Sequence, residues 1–175
     1  MNTQRLRLRP ITTDDAGLLV ALDADPAVMR FISGGAPTPP DEAERIVHRS
    51  LGHRWIAYEH ETDEFAGWFG LRPSDAKTRE LGYRLRRASW GRGLATEASR
   101  ALIAEAFTNL GVERIRAQTM TVNTASRRVM EHCGLRFVRS FHLEGLEPIE
   151  GADQGDVEYE LTKAKWESLR EHNLP

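Results

Sequence analysis

Residues 80–107 read ELGYRLRRASWGRGLATEASRALIAEAF, and this stretch decides which fold the sequence predicts. A strand is expected at about residues 79–86, and it runs into the glycine-rich turn WGRG at 90–93. The longest predicted helix follows the turn and ends at Gly111. The apolar residues along one side of that helix are Leu94, Ala98, Ala101, Leu102, Ala106 and Leu110. A strand, a glycine turn and a helix in this order place unpaired backbone N–H groups where a phosphate can bind, although a tight strand–helix turn without a ligand would have the same pattern.

Strand and helix signals alternate along the rest of the chain, without an internal repeat or a low-complexity tract. Further strands are expected near residues 6–8, 54–60, 64–71, 113–121, 135–143 and 156–162. Further helices are expected from about residue 16 to before Pro26, from Pro40 to Gly52, at 124–132 and near 163–172. Together, about seven strands and five helices predict an α/β (α+β) fold in one domain spanning residues 1–175. Its centre is expected to be a mixed, mostly antiparallel sheet with helices on both faces.

Composition and charge exclude several classes of protein. Of 175 residues, 40% are hydrophobic and 29% are charged, which is ordinary for a globular domain with a sizeable core. The 24 basic and 26 acidic residues leave a net charge of −2. The chain therefore lacks the basic field that drives binding to nucleic acid or to an anionic membrane.

Targeting and metal-binding signals are also missing from the sequence. The longest apolar run, at 18–22, is far below the roughly 20 residues that span a bilayer. The first residues, MNTQRLRLRP, lack the apolar core of a signal peptide, so a cytoplasmic protein is expected. A single cysteine, Cys133, can form neither an internal disulfide bond nor a multi-cysteine zinc site, and no metal is expected.

Two familiar phosphate-binding loops do not fit the turn at 90–93. A Walker loop requires Gly-Lys followed by Ser or Thr, which the stretch WGRGLATEA lacks. The dinucleotide-binding fingerprint G-x-G-x-x-G/A would need Gly or Ala where the sequence has Thr96. The next predicted strand also ends near 122–123 without the acidic residue that contacts a ribose. Neither motif explains the turn.

Three segments, taken in order, resemble the GNAT superfamily of acetyltransferases, and specifically its RimJ/RimL-like branch. They are TQRLRLRPITTDD at 3–15, ELGYRLRRASWGRGLATEASRALIAEAF at 80–107 and MTVNTASRRVMEHCGLRFV at 120–138. The superfamily's pyrophosphate loop is usually Gln/Arg-x-x-Gly-x-Gly/Ala, and here Trp90 replaces the polar first residue. In the superfamily the loop makes its contacts mainly through main-chain amides, so this difference weakens the match without breaking it.

The resemblance implies that acetyl-CoA is the cosubstrate and that it lies where the fourth and fifth strands splay apart. The pantetheine arm would pair with the backbone at 83–86, and the pyrophosphate would sit on the turn at 91–96. Gly91 and Gly93 lack a Cβ, which lets the chain approach the anion closely. The residues assigned to cofactor binding are Tyr83, Leu85, Arg86, Arg87, Gly91, Arg92, Gly93, Leu94, Ala95, Thr96 and Asn123.

The resemblance also implies a mechanism in which an amine attacks the thioester directly. Ser126 matches a position that can protonate the departing thiolate, although a helix-capping or packing role is the alternative. Glu80, on the fourth strand, is the first choice for the base, with an ordinary surface position as the alternative. Glu97, Cys133 and His132 are expected to be structural rather than catalytic.

The function implied is acetyl transfer from acetyl-CoA to a primary amine, either a protein N-terminus or a small molecule. A non-catalytic acyl-CoA-binding regulator on the same fold is the alternative. From 141 to 162 there are acidic residues but no Lys or Arg, which suggests attraction of a cationic amine or merely a solvated acidic hairpin. The acidic residues are Glu144, Glu147, Glu150, Asp153, Asp156, Glu158 and Glu160.

Overall fold

The computed structural model describes residues 1–143 and 149–172, and one seven-stranded sheet lies at its centre. The strands are β1 (Leu6–Pro10), β2 (Arg54–Glu59), β3 (Phe65–Pro73), β4 (Thr78–Leu85), β5 (Arg114–Met120), β6 (Arg136–Phe141) and β7 (Asp156–Thr162). Their order across the sheet is β1-β2-β3-β4-β5-β7-β6. Neighbouring strands are antiparallel except β4 and β5, which are parallel, so the predicted mixed and mostly antiparallel sheet is confirmed.

Six α-helices accompany the sheet in the described ranges. They are α1 (Ala16–Asp23), α2 (Pro26–Ser33), α3 (Pro40–Ser50), α4 (Leu94–Asn109), α5 (Thr124–His132) and α6 (Lys163–His172). In these parts of the chain, no helix is long and apolar enough to cross a membrane.

The sequence predicted five helices, and the additional one is α2. Pro26 was interpreted only as the end of α1, but it is also the first residue of α2, where the missing proline N–H is not needed. The Asp25 side chain caps this helix by accepting a hydrogen bond from Ala27 N at 2.9 Å. A proline after a helix therefore marked the start of the next one.

Helices cover both faces of the sheet, as predicted. On one face, α4 and α5 pack against the sheet around buried residues such as Leu81, Leu102 and Ile115. On the other face, α1 and α3 pack around a smaller buried group that includes Leu19 and Ile56. These two sides are called the α4 face and the α1 face below.

The sheet opens in the middle, between β4 and β5. These two strands pair only from Thr78 opposite Arg114 to Glu80 opposite Arg116. Beyond this point β4 continues to Leu85 and β5 to Met120 without pairing to each other. The gap between residues 81–85 and 117–120 is called the cleft, and it lies at the carboxyl ends of both strands.

Alternation of side chains along β4 gives the two faces of the cleft different chemistry. Leu81, Tyr83 and Leu85 belong to the core on the α4 face. Glu80 and Gly82 line a pocket on the opposite, α1 face. A group that reaches through the cleft therefore meets different side chains on each side of the sheet.

Candidate active site

The glycine turn leads from the end of β4 into α4. Gly91 and Gly93 have φ of 70° and 77°, a left-handed conformation that glycine adopts without the penalty of a side chain. Gly93 is the N-cap of α4, so the first N–H groups of that helix, from Leu94 to Thr96, have no acceptor within the helix. The turn thus presents main-chain N–H groups beside the cleft, in the geometry that binds a phosphate.

Trp90 fastens the turn to the strand before it. Its indole Nε1 donates a hydrogen bond to the carbonyl oxygen of Leu85 at 2.8 Å. Trp90, which replaces the polar first residue of the superfamily's loop, therefore has a local structural role at the end of β4.

A buried carboxylate, Glu59, holds the arginines that flank the turn. Arg92 reaches both of its oxygens, with Nη1 at 2.9 Å and Nη2 at 2.7 Å. Arg86 Nη2 lies 3.7 Å from the same carboxylate, and Ser89 Oγ donates to it at 2.9 Å. The bond from Arg92 does most to hold the pKa of Glu59 below its usual range, despite the burial of the group.

The three arginines assigned to cofactor binding are thus already engaged by carboxylates. Arg86 also pairs with Glu64, and Arg87 Nε lies 3.4 Å from Asp25. The main-chain N–H groups of the turn therefore remain its most available donors for an anion. Sequence reasoning missed Glu59 because it lies 33 residues before Arg92, on β2.

Asn123 organises the start of α5 at the open end of the cleft. Its Oδ1 accepts a hydrogen bond from Ser126 N at 3.2 Å, and its Nδ2 donates to Thr119 Oγ1 at 3.0 Å. The side chain is therefore the N-cap of α5 and also ties the helix to β5. The predicted contact of Asn123 with pantetheine would be added to this structural role.

The Ser126 hydroxyl lies against the Tyr83 side chain, a contact that the sequence did not predict. Tyr83 OH is 3.0 Å from both Oγ and the carbonyl oxygen of Ser126. Burial raises the pKa of Tyr83 well above its usual value, so its hydroxyl stays protonated at neutral pH. When Tyr83 donates its one proton to the carbonyl, Ser126 Oγ–H is free to donate to a bound molecule.

Glu80 lies on the α1 face, at the last pair before β4 and β5 separate. It forms an ion pair with Arg72, its register partner on β3, and its side chain is 32% exposed. It lines a pocket of about 110 Å³ beside the cleft. The residues around this pocket are His53, Arg54, Trp68, Gly70, Arg72, Glu80 and Gly82. The structure thus places Glu80 on the opposite face from Ser126.

Most of the described carboxylates of the acidic segment are already satisfied by the protein. Glu158 is buried and accepts from Gln118 at 2.7 Å and from Arg139 at 3.4 Å. Glu160 pairs with two β5 arginines at 3.2–3.3 Å, and Glu150 pairs with Arg30 at 3.0 Å. These ion pairs weaken the idea that the segment attracts a cation, and its residues Glu144 and Glu147 lie outside the described residues.

Asp156 differs from these carboxylates. Burial raises its pKa, and its register partner Met120 is the last residue of β5, at the rim of the cleft. Asp156 is therefore a second candidate for a base, which the sequence showed only as part of an acidic segment.

Two residues that were expected to be structural, Glu97 and Cys133, have contacts or burial that fit this role. Glu97 accepts hydrogen bonds from Thr3 Oγ1 at 2.6 Å and from both N and Nε of Arg5 at 2.7 Å, fixing the N-terminal segment to α4. Cys133 is buried, and burial raises its pKa to about 12, which makes a reactive thiolate unfavourable at neutral pH.

Comparison with known proteins shows the family to which the chain belongs. The family model for the acetyltransferase (GNAT) domain matches residues 5–136. The FsC-acetyl coenzyme A-N(2)-transacetylase of Aspergillus fumigatus is 31% identical over 192 residues, covering 99% of this chain and 80% of the relative. An uncharacterized N-acetyltransferase, p20 of Bacillus licheniformis, is 31% identical over 153 residues, covering 82% and 83% of the two chains.

Solved structures share the fold. The spermidine N-acetyltransferase of Vibrio cholerae, solved with CoA and spermine, aligns with a TM-score of 0.75 at 19% identity, covering 92% of this chain and 97% of that one. The ribosomal L7/L12 α-N-protein acetyltransferase RimL, solved with coenzyme A, aligns with a TM-score of 0.76 at 18% identity, covering 91% and 95%. With the family match and the transacetylase relative, the chain belongs to the GNAT family and is an acetyltransferase enzyme.

Proposed function

We propose that the protein transfers the acetyl group of acetyl-CoA to a primary amine in a ternary complex, as a member of the RimJ/RimL-like branch. The observation that carries this proposal is the cleft between β4 and β5, which opens towards the glycine turn at 90–93 and the start of α5. The two CoA-containing neighbours and the transacetylase relative support acetyl-CoA as the donor. A cytoplasmic location remains part of the proposal.

The cofactor would lie along the open edge of β4. Its pantetheine arm would pair with the backbone at 83–86 and contact Asn123, and its pyrophosphate would bind the N–H groups at 91–96. Support for this placement comes from the two left-handed glycines and the free N–H groups at the start of α4. Arg86, Arg87 and Arg92 would contribute positive charge only through exchange with their carboxylate partners.

The two faces of the cleft suit the two proton transfers of the reaction. Attack by an amine requires loss of its proton, since an unperturbed lysine amine has a pKa of about 10.4. A thiolate similar to that of cysteine, with a pKa of about 8.5, leaves more easily when it is protonated. Glu80 on the α1 face would take the first proton, directly or through water, and Ser126 on the α4 face would supply the second.

Positioning would supply much of the remaining acceleration. Holding the amine and the thioester in contact across the cleft converts a bimolecular step into one within a complex. A main-chain N–H on the open edge of β4 can stabilise the oxyanion of the tetrahedral intermediate, a role that needs no particular side chain.

Binding of acetyl-CoA should stabilise the fold. At one hundred times its dissociation constant, the expected gain in unfolding free energy is about 2.7 kcal/mol, which thermal unfolding measures as a rise in Tm. Gly93→Val is the control, because a branched side chain in the left-handed turn should block close approach of the pyrophosphate and reduce that rise. An unchanged Tm of the wild-type protein at millimolar acetyl-CoA would contradict the proposal.

Turnover assays then separate the enzyme from the alternative. Release of CoA that depends on an added amine supports acetyl transfer. Stabilisation by acetyl-CoA without turnover on a broad panel of amines and peptides would favour the non-catalytic acyl-CoA-binding regulator.

The base can be identified by comparing two carboxylates. Glu80→Gln is expected to lower kcat/KM several-fold near pH 7, because the amide cannot accept the proton. This loss should shrink as the pH approaches the pKa of the amine, where the free amine is abundant without a base. Asp156→Asn is the matched variant, and a pH-dependent loss in that variant alone would transfer the role from Glu80 to Asp156.

A further inference from the structure

Two glycines form the floor of the pocket beside Glu80, and the Trp68 ring lies within 4 Å of where their Cβ atoms would be. Gly70 and Gly82 are register partners on β3 and β4. Arg54, on β2, is in turn the register partner of Gly70, so these three positions lie side by side across the sheet. Because Gly82 comes just after the last β4–β5 pair, the floor extends from Arg54 to the edge of the cleft.

Arg54 has no counter-charge in this pocket. Its guanidinium stacks on Trp68, with Cζ 3.9 Å from the ring centre. Its Nε is buried without a hydrogen-bond partner, and within residues 1–143 and 149–172 no carboxylate forms an ion pair with it. Arg72, the other arginine of the pocket, pairs with Glu80. The pocket is therefore left with one positive charge.

The negative charge of Asp23 favours charged Arg54, but it offsets burial only in part, because this carboxylate is already engaged by other groups. Arg84 pairs with Asp23 at 2.6 Å, and the same buried carboxylate accepts from Thr38 Oγ1 at 2.6 Å. Burial, reinforced by the charge of Arg84, lowers the pKa of Arg54 to about 10, which still leaves it charged at pH 7. A partly buried charge without an ion-pair partner is unfavourable, and an anionic ligand would supply that partner.

We propose that the acceptor of this enzyme carries a carboxylate, which Arg54 binds in the pocket that Gly70 and Gly82 also line, while the acceptor's amine reaches the cleft. This inference rests on the proposed function. A planar guanidinium binds a carboxylate through two parallel hydrogen bonds, which also orient the rest of the molecule.

The charge of the pocket defines the chemical class of the acceptor. With about 110 Å³ of free space, the pocket can hold the carboxylate end of an acceptor. The acceptor is therefore an amine that also carries a carboxylate, such as an amino acid or an amino-acid derivative. A polyamine would bring positive charge towards Arg54 and is disfavoured.

The test compares amino acids with their amides as acceptors. The amide keeps the amine of its amino acid but lacks the carboxylate. The measured quantity is kcat/KM for the acid divided by kcat/KM for the amide. Arg54→Met should lower this ratio at least about tenfold relative to wild type, as expected for loss of a hydrogen bond between charged groups. Comparing ratios between variants cancels the different intrinsic reactivities of the two amines.

Two further variants control the result. Arg45→Met removes the same charge from an exposed position on α3 and should leave the ratio unchanged. Arg54→Lys keeps the charge but not the planar fork, and its ratio should lie between those of wild type and Arg54→Met. An acid-to-amide ratio that is the same in wild type and both Arg54 variants overturns the inference.

A binding measurement keeps the inference testable even if no acetyl transfer occurs. N-acetylglycine, which has the carboxylate but no free amine, is titrated into the protein without acetyl-CoA. The indole N–H signal of Trp68, identified by its absence in Trp68→Phe, should shift in the wild-type protein and not in Arg54→Met. Absence of a saturable shift in wild type overturns the carboxylate site, whereas failure of the proposed function shows only in the turnover assay.

Discussion

Ser126→Ala is expected to lower kcat and kcat/KM together by about 100-fold, while the affinity for acetyl-CoA stays near its original value. A hydroxyl that protonates the thiolate as the C–S bond breaks contributes to the transition state and not to the bound ground state. General acid catalysis typically contributes about 10²–10⁴-fold, and the lower bound applies because water can substitute in part. A 100-fold loss corresponds to about 2.7 kcal/mol of transition-state stabilisation.

Steady-state kinetics with a separate measurement of acetyl-CoA binding checks this prediction. Tyr83→Phe is the matched variant, because it keeps the ring and removes the hydroxyl that lies 3.0 Å from Ser126 Oγ. Tyr83→Phe should lose less activity than Ser126→Ala, because Tyr83 would position the serine without donating its own proton to the thiolate. Normal turnover by Ser126→Ala would leave Ser126 with a role only at the start of α5. A greater loss in Tyr83→Phe would assign the acid to Tyr83.

Local sequence patterns predicted the parts of the fold that depend on neighbouring residues. The sheet strands and α4 follow from apolar spacing, and the turn at 90–93 follows from its glycines. The helix α2 was missed because Pro26 was interpreted only as a residue that ends a helix. Proline is equally suitable as the first residue of the next helix. Both local rules apply at Pro26, and the cap at Asp25 stabilises the start of the second helix.

The site was less predictable because its contacts join distant parts of the chain. The Tyr83–Ser126 contact spans 43 residues, and the bond from Arg92 to Glu59 spans 33. Sequence alone identified Arg92 as a charge for the cofactor but gave no sign that a buried carboxylate already holds it. Contacts of this kind depend on how separate elements pack against each other, which the local sequence pattern of either element does not determine.

The charge inferred for the acceptor also depends on contacts between distant parts of the chain. An acidic segment suggested a cationic acceptor, but Glu158 and Glu160 pair with arginines across the sheet. The charge that remains without an ion pair beside the cleft belongs instead to Arg54, whose importance depends on its position next to Gly70 and Gly82. The distribution of paired and unpaired charges, and not the net charge of a segment, supports an acceptor that carries a carboxylate.

Gly67→Ala is expected to destabilise the protein by about 2–6 kcal/mol, a large share of the roughly 5–15 kcal/mol typical of a folded domain. Gly67 lies where β2 and β3 change register, and its φ is 147°, which a side chain disfavours. A Cβ at this position would lie 2.2 Å from the carbonyl oxygen of Arg84. Backbone strain of about 1–3 kcal/mol and steric overlap of a similar size therefore add.

The overlap also connects this position with the cleft. The register partner of Gly67 is Leu85, at the end of β4, so relief of the overlap must displace the strand that leads into the glycine turn. Urea unfolding measures the loss of stability, and acetyl-CoA binding by the folded fraction should weaken in parallel. Gly17→Ala is the matched control, because a Cβ there meets nothing within 4 Å and helix α1 should gain up to about 1 kcal/mol. Equal stability of the Gly67→Ala and wild-type proteins would show that β3 and β4 can separate without cost at this bulge.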